Sequence, residues 1–541
     1  MNMPSRATPR SVQRTGINPA RYGMARRYWQ CFAGLGGLLL IANPSPARSQ
    51  SAPPASAGLI RGIDSLFSFA SKTAPGCALG VARAGRPIFQ RAYGMADLNH
   101  DIANTPSTVF ETGSLAKQFT AAAVLLLVHD GKLALDDDIR RYIPEVPDFG
   151  TPIMIRHLLT HTSGLREQWS LLALAGNPPG TQVHTLATIV DLVSRQRGLN
   201  FSPGEEFYYT NTGYALLAVV VERVSGRSME QFTHERLFQP LRMTNTHWRE
   251  DFRTIVPLRA TAYSPASPHG FRENMPFTNV YGNGGLYTTI GDLLRWNAFL
   301  DDPSAIAGGR ALVDTLQAPG HLRNGAPLTY AFGLEVATNN GMRSVSHDGS
   351  TAGYKTWLGR YPDQGISVAM LCNHGGIDPV QLGLQVAARV LQWAGHPVPV
   401  VAAVSQRVAS PGSDGPNVER NRGQWWNPVT GELAQTLNGR DSARFVAVRP
   451  PNTGAAALAE YIGTYYCAEL EVRVAVARQG DALVVRQRFG TDWQLQATFA
   501  DGFTTPLRGT TAFVFSRSST GQVDGFGAWA GGARNIRFVR E

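Results

Sequence analysis

Residues 111–133 read ETGSLAKQFTAAAVLLLVHDGKL. Ser114 and Lys117 stand three apart, where a long apolar run begins. Beyond them nearly every side chain is apolar, so the helix predicted over about 113–129 has no polar face and belongs in a core. Gly131 follows its end, where a left-handed cap forms easily. A serine hydroxyl is a poor nucleophile until a base takes its proton. At a helix start it sits in the positive end of the dipole, and a residue at i+3 lies on the same face. A lysine drawn into apolar surroundings loses proton affinity and can serve as that base. The plain alternative is an N-cap serine beside a solvated lysine. Ser-x-x-Lys alone does not separate the two.

Outward from this helix, "GCALGVARAGRPIFQRAYGMAD" holds two β-like runs about a Gly85-Arg86-Pro87 turn and predicts a hairpin. Residues 136–250 read mainly as helix. "TPIMIRHLLTHTSGL" starts after Pro152 and is expected to run to Ser163-Gly164, while "LATIVDLVSRQ" and "TGYALLAVVVERVSG" carry helical periodicity with stops. Strand patterns return in "YAFGLEVA", "RSVSHDGS" and "KTWLGRYPDQGISVAMLCNH", and "VQLGLQVAARVLQWAG" closes the region as a helix. The fold class is therefore mixed α/β (α+β). Over 59–395 we expect an antiparallel sheet completed by distant segments, flanked by helices and carrying an inserted all-helical lobe. Residues 396–455, rich in Pro, Gly, Ser and Asn, read as an irregular connector. Residues 456–541 alternate apolar and polar, as in "LEVRVAVARQGDALVVRQ", and predict a small antiparallel β-barrel or sandwich.

The chain has 541 residues and a formal charge of +10. Seven arginines and no Lys, Asp or Glu lie within residues 1–49, so the basic excess is largely theirs. No cationic run interleaved with aromatics follows, which argues against a nucleic-acid partner. Arg26-Arg27, the apolar stretch "YWQCFAGLGGLLLIA" and small residues near Ala47 and Ser49 have the order of an export signal, with a loose twin-arginine likeness. A periplasmic or secreted location is the expectation, with residues 50–58 as a linker. Outside the leader, Cys77, Cys372 and Cys467 lack metal or framework spacing and read as core thiols, with one bridge as the alternative.

Two further stretches bear on Ser114. "GEEFYYTNTGYALLA" sets Tyr209 and Asn211 just before a helix. A tyrosine oxygen shuttles protons when cations stabilise its phenolate, and an asparagine amide both donates and accepts. "SVSHDGSTAGYKTW" sets His347, Gly349 and Ser350 in an expected edge strand, where a glycine admits close backbone approach and the next N–H can face an oxyanion. Each alone has a bland reading as a cap or turn.

Together, Ser114-x-x-Lys117, Tyr209-x-Asn211 and His347-x-Gly349 resemble the serine β-lactamase and penicillin-binding superfamily, in its class C-related branch of esterases and D-amino-acid peptidases. "IRHLLTHTSGL" and "GNGGLYTTIGDLLRW" add to the likeness, which spans about 59–395. The resemblance implies an acyl-enzyme formed on Ser114, with Lys117 and Tyr209 sharing the proton transfers. Asn211, His347 and Gly349 would orient the substrate, and the backbone N–H groups of Ser114 and Ser350 would form the oxyanion hole. It implies no metal and no cofactor. The partner is a small-molecule or peptide substrate, and the C-terminal β domain is a candidate for cell-envelope contact.

True β-lactamases begin the third motif with lysine. Here it is His347, mostly neutral near pH 7 unless perturbed, so a permanent cation for a substrate carboxylate is missing from the motif. That favours an ester or a D-amino-acid amide over a β-lactam or D-alanyl carboxypeptide. An inactive sensor or scaffold that keeps the fold is the non-enzyme alternative. His157 and His161 have zinc-ligand spacing, but "HLLTH" lacks the glutamate of the zinc motif. No G-x-S-x-G elbow occurs. "YGNGGLYTTIGD" reads as a loop lining the cleft, and Trp248, Tyr281 and Trp357 as core aromatics sooner than pocket walls.

Overall fold

A computed structural model describes residues 55–339, 341–396, 449–486, 492–507 and 511–541, with the backbone alone of 424–427, 432–435 and 446–447. The expected export signal lies outside the described residues, as do most of the linker and connector. Where the connector is described, three short strands (Gln424–Asn427, Glu432–Gln435, Val446–Ala447) pair antiparallel, so that part is not irregular. The linker reading ran too far: Ser56 caps a helix, α1 (Ala57–Asp64).

Six strands build the central sheet: β1 (Cys77–Arg83), β2 (Arg86–Tyr93), β3 (Glu335–Asn339), β4 (Met342–Thr351), β5 (Tyr354–Tyr361) and β6 (Ile366–Cys372). Their order is β3-β4-β5-β6-β1-β2, antiparallel throughout. The hairpin of β1 and β2 turns at Ala84-Gly85, one residue before the expected place, because both positions have positive φ (49° and 72°). A two-residue turn of that hand matches the twist of the strands. β6 is buried at every position, as a strand covered on both faces must be. "YAFGL" is not strand: β3 starts only at Glu335, after Gly333 turns the chain with φ 74°.

Between the two strand groups lie α2 (Ala116–His129), α3 (Ile155–Leu159), α4 (Gln168–Leu174), α5 (Leu186–Ser194), α6 (Asn211–Ser225), α7 (Met229–Thr233), α8 (Ile290–Asp301) and α9 (Gly309–Leu316). α10 (Pro379–Trp393) follows the sheet. α1 and α10 cover one sheet face, with Leu59, Ile63, Val386 and Val390 packed on Val81, Val368 and Trp357. α8 lies on the other, its Leu294 against Gly80 of β1. α2 is buried from Ala116 to Leu127, which is what a helix apolar on all sides requires. α3 ends at Leu159, short of the predicted stop, because His161 takes a positive φ of 58°.

Cys77 and Cys372 face each other in the β1–β6 ladder and form a disulfide. The core-thiol expectation is corrected for this pair; it holds for Cys467, whose buried thiol is pushed up to about 11. Eight antiparallel strands, from Gly463–Cys467 to Ala533–Arg540, close into a barrel. Closure leaves no free edge. The interior is filled by Tyr465, Phe503, Phe513, Phe515, Phe526 and Phe538.

Candidate active site

A single 3-10 turn, Gly113–Leu115, leads into α2 and holds Ser114 at its mouth. Lys117, one turn on, is wholly buried. Its Nζ donates to Ser114 Oγ (3.0 Å), to Asn211 Oδ1 (2.9 Å) and to the Asn283 carbonyl (3.0 Å). An ammonium has three hydrogens, and these three acceptors match them in number. The solvated-lysine alternative is therefore excluded.

Asn211 opens α6, and Thr210 caps that helix. Tyr209 precedes them in a half-buried loop, its ring 4.7 Å from Lys117 Nζ. α6 packs on α2, so the helix pair brings residues almost a hundred positions apart to one point. The His161 ring lies tilted against Tyr209 and Tyr330, with ring centres 4.2 Å and 4.7 Å away. Burial, and then the charge of Lys117, push His161 well below the ordinary histidine range. Its Nδ1 accepts from the Thr210 N–H, so a neutral imidazole steadies the loop that carries Tyr209.

His347, Gly349 and Ser350 lie on β4. β4 is not the outermost strand, contrary to expectation, but β3 pairs only with Met342–Ser346. From His347 onward that side of β4 has no ladder partner among the described residues, so it is an edge locally. The Gly113 turn docks there. A Cβ on Gly349 would stand 2.0 Å from the Thr112 carbonyl and 3.1 Å from Ser114 N, and one on Gly113 2.8 Å from Ser350 N. Thr356 Oγ1 ties the same turn to β5 by donating to the Thr112 carbonyl (2.7 Å). The peptide groups of Ser114 and Ser350 thus adjoin one another. His347 donates from Nδ1 to the Asp348 carbonyl and accepts at Nε2 from the Tyr330 hydroxyl (3.0 Å). Burial, with the Lys117 charge second, lowers it to about 3. It is neutral at physiological pH. A cation nonetheless stands nearby: Lys355, opposite Ser350 in the β4–β5 ladder, donates to Ser350 Oγ at 2.5 Å. Sequence reading missed it because it lies outside the motif and across the strand pair.

Three more contributors escaped the motifs. The Asn283 carbonyl comes from the "GNGG" loop read only as cleft lining. Gly282 lets that loop approach α6, since a Cβ there would meet the Tyr214 carbonyl at 2.7 Å. Glu111 holds the loop from the other side, accepting from Gly285 N (3.1 Å) and the Tyr287 hydroxyl (2.9 Å). Glu167 is the third. Its Oε1 accepts from Asn211 Nδ2 (3.2 Å) and its Oε2 from Ser170 N (2.8 Å). The spacing Glu167-x-x-Ser170 ahead of an apolar run offers only the cap of α4 as a signal.

The barrel reaches this same corner. The Gly532 carbonyl, in its last hairpin turn, accepts from Glu167 N (3.0 Å) and Asn200 Nδ2 (2.7 Å). Arg166 is buried against Glu469 of the barrel, and Arg534 pairs with Glu206 (2.9 Å). The other sequence candidates lie elsewhere. His157 accepts from Met154 N–H and is lowered to about 4 by burial, and no metal-holding cluster occurs among the described residues. Trp248 and Trp357 are core residues. Tyr281 is half-buried and donates to Glu222.

A mixed sheet-and-helix domain with this site defines a serine hydrolase. A family model described as Beta-lactamase matches residues 63–392, and the chain belongs to that family. A D-aminopeptidase of Brucella ovis is 30% identical over 374 residues, covering 69% of this chain and 68% of the relative. Among solved structures, a penicillin-binding protein homologue from Pyrococcus abyssi aligns with a TM-score of 0.55 at 20% identity, over 90% of this chain and 98% of its own. A D-amino acid amidase from Ochrobactrum anthropi SV3 aligns with a TM-score of 0.52 at 23% identity, over 62% of this chain and 98% of its own. These two share the fold.

Proposed function

We propose that this chain hydrolyses amides or short peptides of D-amino acids through an acyl-enzyme on Ser114, after export from the cytoplasm. One observation carries the reading: the buried Lys117 donates to Ser114 Oγ while Asn211 and the Asn283 carbonyl hold it in place. Ser114 attacks the carbonyl carbon as its proton passes to Lys117 in its neutral amine form, and the ammonium so formed resupplies Tyr209. Tyr209 returns a proton to the leaving amine, and the Ser114 and Ser350 N–H groups receive the oxyanion. A water then releases the acid. A donor of that kind is worth on the order of 3 kcal/mol in the transition state. Glu167, a carboxylate bonded to Asn211, is suited to the free α-ammonium of an amino-acid substrate, which an ester of an unsubstituted acid lacks. The D-aminopeptidase relative supports the same class. Export draws support from the disulfide, a feature of oxidising compartments, beside the leader pattern.

Lys355 favours a second reading, in which a substrate carboxylate is held beside Ser350, as in a β-lactam or a carboxypeptide. The test is purified protein against D-alanine p-nitroanilide, its L-isomer, a p-nitrophenyl ester and a chromogenic cephalosporin, with Ser114→Ala as blank. Turnover of the D-anilide, with a fluorophosphonate label on Ser114, is the expected result. Faster turnover of the cephalosporin selects the second reading. Labelling or turnover that survives in Ser114→Ala removes both.

A further inference from the structure

A second cleft opens at the other end of the sheet, with a volume of about 970 Å³. Arg343 at the start of β4 lines it, whereas Ser350 is near that strand's end. Seven residues of extended chain put the two roughly 23 Å apart. The turns Ala84-Gly85 and Pro362–Gly365, the end of α8 and α9 complete the walls.

The lining is cationic. Arg86, Arg242, Arg295, Arg310, Arg343 and Arg360 face Asp301, Asp302 and Asp314. Some of that charge is matched internally: Arg295 pairs with Asp292, Arg310 weakly with Asp314, and Arg360 with Asp301. Arg242 and Arg343 meet no carboxylate among the described residues. Arg360 is the telling member. Its side chain is 4% exposed, and its buried Nε has no hydrogen-bond partner among the described residues. Arg343 and Arg360 both direct a guanidinium nitrogen at one neutral atom, Gln317 Oε1, each at 3.4 Å. Two guanidinium forks repel one another and gain little from an amide oxygen at that distance. A bidentate oxyanion matches their geometry and charge.

We propose that this cleft is a binding site for a small multivalent oxyanion, held between Arg343 and Arg360 with Arg242 at the rim. Phosphoryl and clustered carboxylate groups share the required chemistry, and the volume suits a ligand of sugar-phosphate or nucleotide size. Titration calorimetry of the full chain at low ionic strength, with inorganic pyrophosphate and with citrate, tests the assignment. At least one of the two is expected to bind saturably, and which one does identifies the group. Arg343→Ala should weaken that binding at least tenfold. Gln317→Glu, which supplies an internal carboxylate to both arginines, should abolish it while raising or preserving the melting temperature. Turnover at Ser114 should be unchanged in both variants. No saturable binding of either anion, or an affinity indifferent to both substitutions, overturns the proposal.

Discussion

Lys117 divides its three hydrogens between a side-chain hydroxyl, an amide oxygen and a main-chain carbonyl. Ser114 and Lys117 were legible because they sit one turn apart in a helix, where spacing is geometry. Asn283 was not, because its contribution is a carbonyl that any residue carries. Tyr209 and Asn211 were legible as a pattern but not as a place, since only the packing of α6 on α2 brings them to Lys117. At the neighbouring wall, His347 and His161 are buried neutral. Their folded pKa values lie below the unfolded value near 6.5, His347 at about 3. Stability from their neutrality is therefore complete above pH 6.5 and is lost as pH falls toward 3, where the unfolded chain binds more protons. Melting temperature followed from pH 7 to 4 should fall, and His347→Gln should flatten part of that fall. The same value predicts no step in kcat/KM between pH 5 and 8 from His347. Gly349→Ala places a methyl against the Thr112 carbonyl and should cut Ser114 labelling by roughly a hundredfold; labelling at the wild-type rate would refute the docking of turn and strand.

Elements repeat the division between local and distant information. The hairpin of β1 and β2, the periodicity of α5 and α6, and the alternation of the barrel strands are written within a few residues each. The pairing of β1 with β6 is not, since it joins positions 295 residues apart. The disulfide is only an alternative in the sequence for that reason: two cysteines become neighbours only once the register is known. Reduction should lower the melting temperature by an amount equivalent to about 2–4 kcal/mol. A Cys77→Ala/Cys372→Ala variant should show the same deficit and no further response to reductant. An unchanged melting curve would mean the bridge contributes nothing to this sheet.

On the scale of the whole molecule, the barrel is joined to the helical lobe through charged and main-chain contacts close to Asn211. From Ala52 to Glu541 the chain forms one compact unit, although the sequence offered no sign of which surface the barrel covers. Glu469→Ala leaves Arg166 with Gln196 as its remaining side-chain acceptor among the described residues and should cost about 3 kcal/mol in stability, measured by denaturant melting. Gly532→Val is the sharper probe. A Cβ at that position would stand 2.5 Å from Glu167 Cβ and 2.6 Å from the Tyr208 ring. The barrel should fold as before while kcat/KM for a D-anilide drops more than tenfold; unaltered kinetics would show that the barrel does not shape the site.

The place of β1 in the sheet also sets a schedule for synthesis. β1 lies between β2 and β6, so one of its two edges has no partner until residue 372 has left the ribosome. At about 5–20 residues per second, that is a wait on the order of 15–60 s. For that interval the nascent chain carries an apolar strand open along one edge and beginning with a free Cys77 thiol, a ready target for a chaperone or a passing disulfide. Under the export proposed for this chain, a route that translocates the unfolded chain defers sheet closure and oxidation to the far side of the membrane. A route that translocates the folded chain requires the sheet to close in a reducing cytosol and the bridge to form afterwards, inside a buried strand pair.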